Sequence, residues 1–402
     1  MSSFTGYLQQ VTQAWLVKDG QRLADYLSLH HYHVKMITCF NSNTEALIDM
    51  HVDQDMEEMV TAHLQCVNAL NEKEFVKAYG YQNAVLQALS KLFQILKDEN
   101  WLLPVMNTVC LDLRLMAIKA DSVPGGGGGG GGDAGGKPGC LEKAAESLMT
   151  CFRICAADNR ASDRNTKKWG MLPLVNQLFK VYFRINKLHL MKPLIRAIES
   201  SPLKDRYLIS QQITYRYYVG RKALFDSDYT SANEYLSFAF ERCHRKSKKN
   251  KRLILIYLVP VKILLGYMPT RAVLEKYSLL QLWEVVEAVK CGRVYQLVAA
   301  MQKHQAFFIK CGIFLILEKL KIITYRNLFK KVYLVGQTPV IPMSHLLAAL
   351  RIMEGADIDL EEAHCILANL IYEGKVKGYI SFTHQKVVLS KTDPFPKLST
   401  LA

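Results

Sequence analysis

The sequence lacks an uninterrupted apolar segment long enough to cross a bilayer. A spanning helix needs about 20 largely apolar residues, whereas the run that begins at Leu253 contains Pro260 and is broken by Lys262. A second apolar window, AFFIKCGIFLILEKL, contains Lys310 and Glu318. The N-terminal sequence MSSFTGYLQQVTQAW has neither a basic start nor a continuous apolar stretch, unlike a secretory signal peptide. These features predict a soluble, intracellular chain that does not insert into membranes.

Cysteine pairs and catalytic motifs are also missing. The ten cysteines are irregularly spaced without a CxxC pair, which argues against a zinc ribbon or a disulfide framework and favours buried thiols. The sequence contains no HExxH, GxSxG or Walker A motif,. Its one dense histidine cluster, HHYH at residues 30–33, is interpreted as a surface turn rather than a metal site. We therefore predict a protein that is not an enzyme and has no metal or cofactor.

Positive charge is abundant but unevenly distributed. The chain of 402 residues has a formal net charge of +15. Residues 1–120 contain 9 basic and 13 acidic side chains, whereas residues 160–252 contain 21 basic and 7 acidic side chains. A basic block of this kind attracts a polyanion, either a nucleic acid or an acidic protein segment. The alternative is a solvated face that serves solubility.

A glycine-rich segment interrupts the chain. The sequence VPGGGGGGGGDAGGKPG at residues 123–139 holds neither a helix nor a strand, and its only Gly-Lys pair is followed by proline, unlike a phosphate-binding loop,. We interpret it as a flexible insertion between two helices. The predicted divisions are N-terminal helical repeats (1–122), this loop (123–139), a helical solenoid (140–318), a winged helix (319–392) and a C-terminal tail (393–402).

The segments on both sides of the glycine-rich loop have helical periodicity. Apolar residues recur three and four positions apart, as in NQLFKVYFRINKLHLMKPLIRAIES,. In the stretch that follows, a helix with Gly220 precedes a turn at residues 226–228 and a second helix with Ala232 and Leu236 on one face. Small residues on one helix facing large residues on the next are a pattern that resembles a tetratricopeptide-like helical hairpin. We predict an all-α solenoid of helical pairs, an architecture that offers extended surfaces to partners.

A basic run precedes one apolar segment of this solenoid. Seven of the eleven residues from Arg242 to Arg252 are Lys or Arg and none is acidic. We expect residues 253–265 to form a helix buried on several sides and the basic run to be the loop before it. Three interpretations stay open: a nuclear localisation signal, a phosphate-contacting loop or a solvated connector. The candidate residues are Arg245, Lys246, Lys248, Lys249, Lys251 and Arg252.

From residue 324 onward the pattern predicts a winged helix. Three short amphipathic segments, YRNLFKKVY, SHLLAALRIM and DLEEAHCILANLIYEG, precede two alternating segments, KVKGYISF and KVVLS, around the turn THQ,. Asp359 and Glu362 form a capping-box-like pair at the third helix, and Gly374 suits its end. Three helices followed by a two-stranded hairpin is the order of a winged helix.

The charges predict backbone contact rather than base reading. The third helix is expected to expose Glu361, Glu362 and Glu373 without any Lys or Arg, and carboxylates are repelled by phosphates,. Cations are expected on the first helix and the hairpin instead. The predicted nucleic-acid-binding residues are Arg326, Lys330, Lys331, Lys375, Lys377 and Lys386.

A solenoid that runs into a winged helix resembles the PCI domain of proteasome-lid, signalosome, translation-initiation and mRNA-export subunits. Longer stretches, including KKWGMLPLVNQLFKVYFRINKLHLMKPLIRAIES, YYVGRKALFDSDY, NKRLILIYLVPVKILLG, ILANLIYEGKVKGYIS and DPFPKLST, resemble the PCI subunits of the nuclear transcription-and-export complex 2. This likeness covers nearly the whole chain and is strongest from about residue 140 onward. The glycine-rich segment departs from it as an insert.

The resemblance implies a non-enzymatic subunit that couples transcription to mRNA export at the nuclear pore. It implies two protein partners, a GANP-type scaffold and a small acidic Dss/Sem-type protein. It also implies that paired winged helices bind RNA without sequence specificity, with DNA left open as a second ligand. It also implies a location in the nucleus, including the nuclear envelope, with a cytoplasmic pool left open. The rival interpretation is a purely structural PCI subunit of a proteasome-lid, signalosome or translation-initiation assembly.

Overall fold

The helical periodicity of the sequence is realised along nearly the whole chain. A computed structural model describes residues 4–35, 40, 42–96, 99–123, 139–159, 164–354 and 357–401. It divides into two units, residues 1–215 and 216–402. This division falls inside the segment 140–318, which the sequence pattern predicts to be one solenoid. Apart from its first and last residues, the glycine-rich loop lies outside the described residues.

The first unit consists of consecutive helices that pack on their neighbours. Helix α4 packs on α5, α5 on α6, α6 on α7 and α7 on α8, as in a solenoid of helical pairs. The helices are α1 (Phe4–Leu16), α2 (Gly20–Tyr26), α3 (Ser42–His51), α4 (Gln54–Asn71), α5 (Phe75–Ile95), α6 (Leu103–Asp121), α7 (Cys140–Ala156), α8 (Met171–Arg184) and α9 (Met191–Glu199), with 3-10 turns at Tyr32–Lys35, Lys167–Gly170 and Leu188–Leu190. Helix α10 (Ile209–Phe225) spans the division between the units.

The two helices that flank the glycine-rich segment are tied to each other directly. The carboxylate of Asp121, the last residue of α6, accepts hydrogen bonds from the backbone N–H groups of Cys140 (2.9 Å) and Leu141 (3.0 Å) at the start of α7. An acceptor at this position satisfies donors that a helix N-terminus leaves without an intrahelical partner. The junction of α6 and α7 is therefore held by side-chain contacts close to both ends of the insertion.

Only part of the histidine cluster lies at the surface, since His30 and Tyr32 are exposed. His33 is buried, and its two ring nitrogens lie 2.9 Å from His31 Nδ1 and 2.9 Å from Nε2 of the buried His63. Tyr7 stacks on His33 with a centroid distance of 4.6 Å. The sequence interpretation is therefore wrong for His33, because α4 brings His63 against it. Among the described residues, no group of three potential ligands has the arrangement of a metal site.

The second unit continues the helical pairs and ends in a small sheet. Its elements after α10 are α11 (Tyr229–Arg242), α12 (Lys248–Leu264), α13 (Arg271–Lys276), α14 (Gln281–Cys291), α15 (Val294–Lys303), α16 (Gln305–Cys311), α17 (Phe314–Glu318), α18 (Leu320–Gly336), β1 (Val340–Pro342), α19 (Met343–Glu354), α20 (Leu360–Tyr372), β2 (Gly378–Ser381), β3 (Lys386–Leu389) and a 3-10 turn at Leu398–Thr400. None of the helices described in either unit combines the length and apolar character needed to cross a membrane.

The predicted pairing of small and large residues is present in the hairpin of α10 and α11. A Cβ atom on Gly220 would come within 2.7 Å of Leu236 Cγ, so only glycine fits here without displacement of the Leu236 side chain. Asp228 ends the turn by accepting a hydrogen bond from the N–H of Ser231 at the start of α11. The turn and the close helix approach both follow from residues that the sequence pattern singled out.

Two apolar segments of this unit differ in burial and in helix continuity. Helix α12 is buried on all sides from Ile254 to Val261, which confirms the expectation of a buried helix. The segment from Phe307 to Leu320 is not one such helix, because Gly312 adopts a left-handed conformation (φ +71°) and separates α16 from α17. Within it, Ile309 and Leu315 are exposed.

The winged helix is confirmed, and it contains one more strand than predicted. Helices α18, α19 and α20 enclose an apolar core together with a three-stranded antiparallel sheet in the order β1-β3-β2. Strand β1 was missed because its sequence, Pro-Val-Ile-Pro, looks like a loop; prolines are tolerated at the end of an edge strand. Phe395 belongs to the same core. The described C-terminal residues 393–401 therefore include side chains that pack against the winged helix, and they do not form a separate tail.

Candidate nucleic-acid interface

The outer face of the winged-helix sheet is defined by the strand register. Tyr379 of β2 pairs with Val388 of β3, and Ser381 pairs with Lys386. Residues directly opposite each other in an antiparallel sheet project to the same face, and successive residues alternate between faces. Val387 and Ile341 point inward and are buried. The residues next to them along each strand therefore project from the opposite face, towards solvent. This outer sheet face comprises Lys377, Tyr379, Ser381, Lys386, Val388, Val340 and Pro342.

This face carries positive charge without any carboxylate. Between residues 374 and 392 the chain has four lysines and no Asp or Glu. Lys377 and Lys386 are both exposed, and neither forms an ion pair within the described part of the chain. The ladder extends beyond β2, because Ser390 N–H donates to the Lys377 carbonyl at 2.8 Å. Lys377 therefore continues the row that contains Tyr379, and the face combines two lysines with one aromatic ring.

Helix α20 presents the acidic surface that the sequence predicted. Glu361, Glu362 and Asn369 are exposed, and Tyr372 is exposed over 91% of its surface. Asp359 caps the helix by accepting a hydrogen bond from Glu362 N–H at 2.7 Å. Carboxylates at this position disfavour insertion of α20 into a groove of nucleic acid.

Arg326 does not contribute to this interface. Its side chain is buried and donates hydrogen bonds to the carbonyl oxygens of Phe395 (3.1 Å) and Pro396 (2.6 Å). Burial lowers the pKa of its guanidinium group. The sequence prediction of a phosphate-binding Arg326 is corrected for a physical reason: the C-terminal segment covers the polar side of α18 at this position.

The other predicted cations lie in three different settings. Lys331 is exposed, but its ammonium group donates to the Cys291 carbonyl at the end of α14 (2.7 Å). Lys375 forms an ion pair with Glu373, so its charge is balanced within the protein. Lys330 is partly buried on α18. Of the six predicted residues, Lys377 and Lys386 therefore provide the most accessible charge.

Lys375 lines a groove that has a different chemistry. The groove, of about 870 Å³, is bordered by residues of the α10–α11 turn, α12, α17, α18, α20 and the C-terminal segment. Its other two lysines also have partners: Lys319 donates to Ser227 and Tyr229 (3.0 Å each), and Lys321 pairs with Glu354. Each of its three lysines has a partner within the protein, and carboxylates also line the groove, which makes it a poor site for phosphate.

The basic run has a partly helical structure. Helix α11 ends at Arg242 and helix α12 begins at Lys248, so the expectation that residues 242–252 form a loop is wrong for the first residue and the last five. Lys251 is buried, and its ammonium group donates to the Phe240 carbonyl (3.0 Å) and lies over the Phe240 ring. Arg252 is half-buried over the ring of Phe307. Lys251 is therefore not available to a phosphate or to an import receptor.

The accessible cations of this run form a cluster at the start of α12. Arg245, Lys246, Lys248 and Lys249 are exposed. The opposite end of α12 borders the groove beside α18. A helix of 17 residues is roughly 25 Å long,. This basic cluster therefore lies at the end of α12 that is remote from the groove.

Comparisons with known proteins agree with this architecture. A model of the PCI domain matches residues 301–391. PCI domain-containing protein 2 of Xenopus laevis is 55% identical over 396 residues, covering 98% of each chain. Its homolog in Drosophila melanogaster is 47% identical over 396 residues, also covering 98% of each chain. Enhanced ethylene response protein 5 of Arabidopsis thaliana is 36% identical over 424 residues, covering 98% of this chain and 95% of that one.

The solenoid, the winged helix and the domain match define the chain as a PCI scaffold subunit. PCI-domain proteins are generally structural subunits of larger assemblies. The similarity to the animal proteins extends over almost the full length of both sequences. The chain belongs to the PCI domain-containing protein 2 family.

Sequence reasoning missed Tyr379 as part of the candidate interface. The signal was present, because Lys377, Tyr379 and Ser381 alternate with Val376 and Ile380 along the predicted strand,. The alternation that predicts the hairpin also places Tyr379 on the same face as Lys377,. The structure shows Tyr379 exposed over 62% of its surface on the face that carries them.

Proposed function

We propose that this PCI subunit is a non-enzymatic, nucleic-acid-binding component of a nuclear complex that couples transcription to mRNA export. The observation that carries the proposal is the acid-free outer sheet face, on which Lys377 and Lys386 are exposed without ion-pair partners among the described residues. Such a face attracts the phosphates of a nucleic acid whatever its base sequence. The acidic surface of α20 disfavours base reading, so binding is expected to depend on the backbone.

The proposed partners follow from the family resemblance and from the charge distribution. They are a GANP-type scaffold subunit, whose winged helix would extend the basic platform, a small acidic Dss/Sem-type protein, and the nuclear pore. The excess of basic residues between positions 160 and 252 supports an acidic partner or an RNA,. The proposed location is the nucleus, including the nuclear envelope, with exchange to the cytoplasm left open.

A salt titration of RNA binding tests the nucleic-acid part of the proposal. The assembled complex with the scaffold and the acidic subunit is compared with complexes that carry Lys377→Gln and Lys386→Gln. Each lost phosphate contact should reduce the slope of log affinity against log salt by about 0.7 for a single strand, so the double variant should lose about 1.4. The affinity should fall alike for unrelated sequences.

Lys303→Gln is a matched control, because it removes an exposed lysine of the same unit that is paired with Glu284. It should leave both affinity and slope unchanged. If the double variant behaves like this control, the sheet face is not the binding surface. The purely structural alternative would then be favoured, and purification of the tagged chain from nuclear extract should yield proteasome-lid, signalosome or initiation-factor subunits instead of the export complex.

A further inference from the structure

We propose that the outer sheet face binds single-stranded nucleic acid by stacking a base on Tyr379 while Lys377 and Lys386 hold the flanking phosphates. This inference rests on the proposed nucleic-acid function and specifies its ligand. Proteins that bind single strands without sequence preference combine a basic surface with aromatic rings on which unpaired bases stack. The sheet face places both kinds of side chain on one surface.

The position of Tyr379 suits a stacking role. Its side chain is exposed over 62% of its surface and has no hydrogen bond or ring contact within the described residues. Neighbouring Ile380 faces the apolar core, so the pleat of β2 directs the adjacent Tyr379 to solvent,. A tyrosine that is not needed for packing or hydrogen bonding offers an aromatic face to a ligand.

The surrounding charges identify the ligand as a polyanion. Lys386 lies diagonally across from Tyr379 on the same face, since it is two residues from Val388, the partner of Tyr379. Diagonal neighbours in such a ladder are about 7–8 Å apart. Lys377 precedes Tyr379 along the same row. An apolar protein segment would gain nothing from the two lysines that flank the ring, whereas a nucleotide strand presents a base and phosphates together.

The ring also distinguishes a single strand from a duplex. In a duplex each base face is covered by its stacked neighbours, so Tyr379 has no base to contact without unstacking one. Phosphates remain available to the lysines in both forms. The lysines of this face can thus bind the phosphates of any nucleic acid, whereas the ring of Tyr379 selects strands with unpaired bases.

The test compares Tyr379→Ala with Tyr379→Phe in the assembled complex. The probes are a fluorescein-labelled mixed-sequence RNA strand, the duplex formed with its complement, and the DNA versions of both. Loss of one base stack should weaken single-strand binding by roughly 5- to 150-fold. The duplex affinity and the salt slope should stay unchanged, because no phosphate contact is removed. Tyr379→Phe keeps the ring and should bind like the unmodified protein.

A second measurement reports contact directly. Irradiation of a strand that contains 5-bromouridine should produce a cross-linked peptide that includes Tyr379. Unchanged melting temperatures will show that both variants are folded, as expected for an exposed side chain.

The outcomes separate this inference from the function on which it rests. If the lysine variants weaken RNA binding but Tyr379→Ala does not, the stacking proposal is overturned and backbone binding stands. If the lysine variants and Tyr379→Ala all leave RNA binding unchanged, both proposals fail for this face. If Tyr379→Ala instead lowers the affinity of the chain for its protein subunits and leaves RNA binding unchanged, the face is a protein interface and the stacking proposal is wrong.

Discussion

Arg326 on helix α18 donates a hydrogen bond to the backbone carbonyl of Pro396, at a distance of 2.6 Å. The same guanidinium group also reaches the carbonyl of Phe395 and lies over its ring. The C-terminal segment is thereby attached to the first helix of the winged helix. Arg326, which the sequence predicts to contact phosphate, therefore has a structural role.

Replacement of Arg326 by Met should destabilise the second unit without changing the salt dependence of RNA binding. The substitution leaves two buried carbonyls without their charged donor, and we expect a loss of about 3 kcal/mol in the free energy of unfolding. Denaturant unfolding of the purified chain measures this loss. Lys330→Gln on the same helix should have little effect on stability. A stable Arg326→Met protein with a reduced salt slope would contradict the structural role.

Local periodicity explains which parts of the winged helix could be predicted. Tyr325, Leu328 and Phe329 are buried as their helical spacing indicates. The same spacing placed Arg326 on the polar side, but it carries no information about a segment 70 residues further along that covers this side. Strand β1 was missed for a related reason, because a strand of three residues is defined by its pairing with β3 and not by its own pattern.

The candidate interface shows the same limit. The lysines could be assigned to the hairpin from the sequence alone, yet their availability depends on partners elsewhere. Lys375 is paired with Glu373, whereas Lys377 and Lys386 are not paired among the described residues. Sequence can therefore predict the sign of a surface charge, but distant contacts decide whether that charge is free for a ligand.

The basic cluster at the start of α12 should be dispensable for folding, in contrast to Lys251. Lys248 and Lys249 lie in the first helical turn, where positive charge opposes the helix dipole,. Their replacement by Ala should leave the free energy of unfolding unchanged or raise it by up to about 1 kcal/mol. Lys251→Ala should lower it by about 1–3 kcal/mol, because the Phe240 carbonyl loses its donor,.

This contrast determines how the function of the cluster should be tested. A variant with Ala at positions 246, 248 and 249 retains Lys251, so a change of location or RNA affinity cannot be attributed to misfolding. Movement of this variant to the cytoplasm with unchanged RNA affinity would identify a nuclear localisation signal. Reduced affinity with unchanged location would identify a phosphate-contacting surface, and no change in either would leave a solvated segment.

The buried imidazoles of the first unit predict a loss of stability in mild acid. Burial lowers the pKa of His33 to about 4 and that of His63 well below its usual range. The unfolded chain, with an ordinary histidine pKa near 6.5, binds protons before the folded chain does. Stability is therefore fully present above the unfolded pKa and is lost as pH falls from about 6.5 towards 4. For His33 alone, the loss between pH 7 and pH 5 is about 2 kcal/mol.

Urea unfolding at a series of pH values checks this prediction. His63→Met removes one of the buried bases and should flatten the dependence between pH 7 and pH 5. His189→Gln, an exposed histidine of the same unit, should leave the dependence unchanged. An equal acid sensitivity in all three proteins would show that other groups are responsible.

Gly220→Ala should destabilise the chain, although the same change stabilises most exposed helix interiors. Alanine is favoured over glycine by up to about 1 kcal/mol within a helix. At Gly220, however, the new Cβ atom would lie 2.7 Å from Leu236 Cγ. Overpacking of this kind costs about 1–3 kcal/mol, so we expect a net loss in the free energy of unfolding. Gly80→Ala on α5 is the matched control, since its Cβ would meet nothing within 4 Å.

A double-mutant cycle with Leu236→Ala isolates the contact. Leu236→Ala alone should cost about 2–5 kcal/mol, because it leaves a cavity beside a glycine. In the double variant the alanine at position 220 occupies part of that cavity, and its clash disappears. The double variant should therefore be more stable than the sum of the two single changes predicts, by about 1–2 kcal/mol. Chemical denaturation of the four proteins provides the measurement. Stabilisation by Gly220→Ala, equal to that by Gly80→Ala, would mean that α10 and α11 are not in close contact at this position, and strict additivity would lead to the same conclusion.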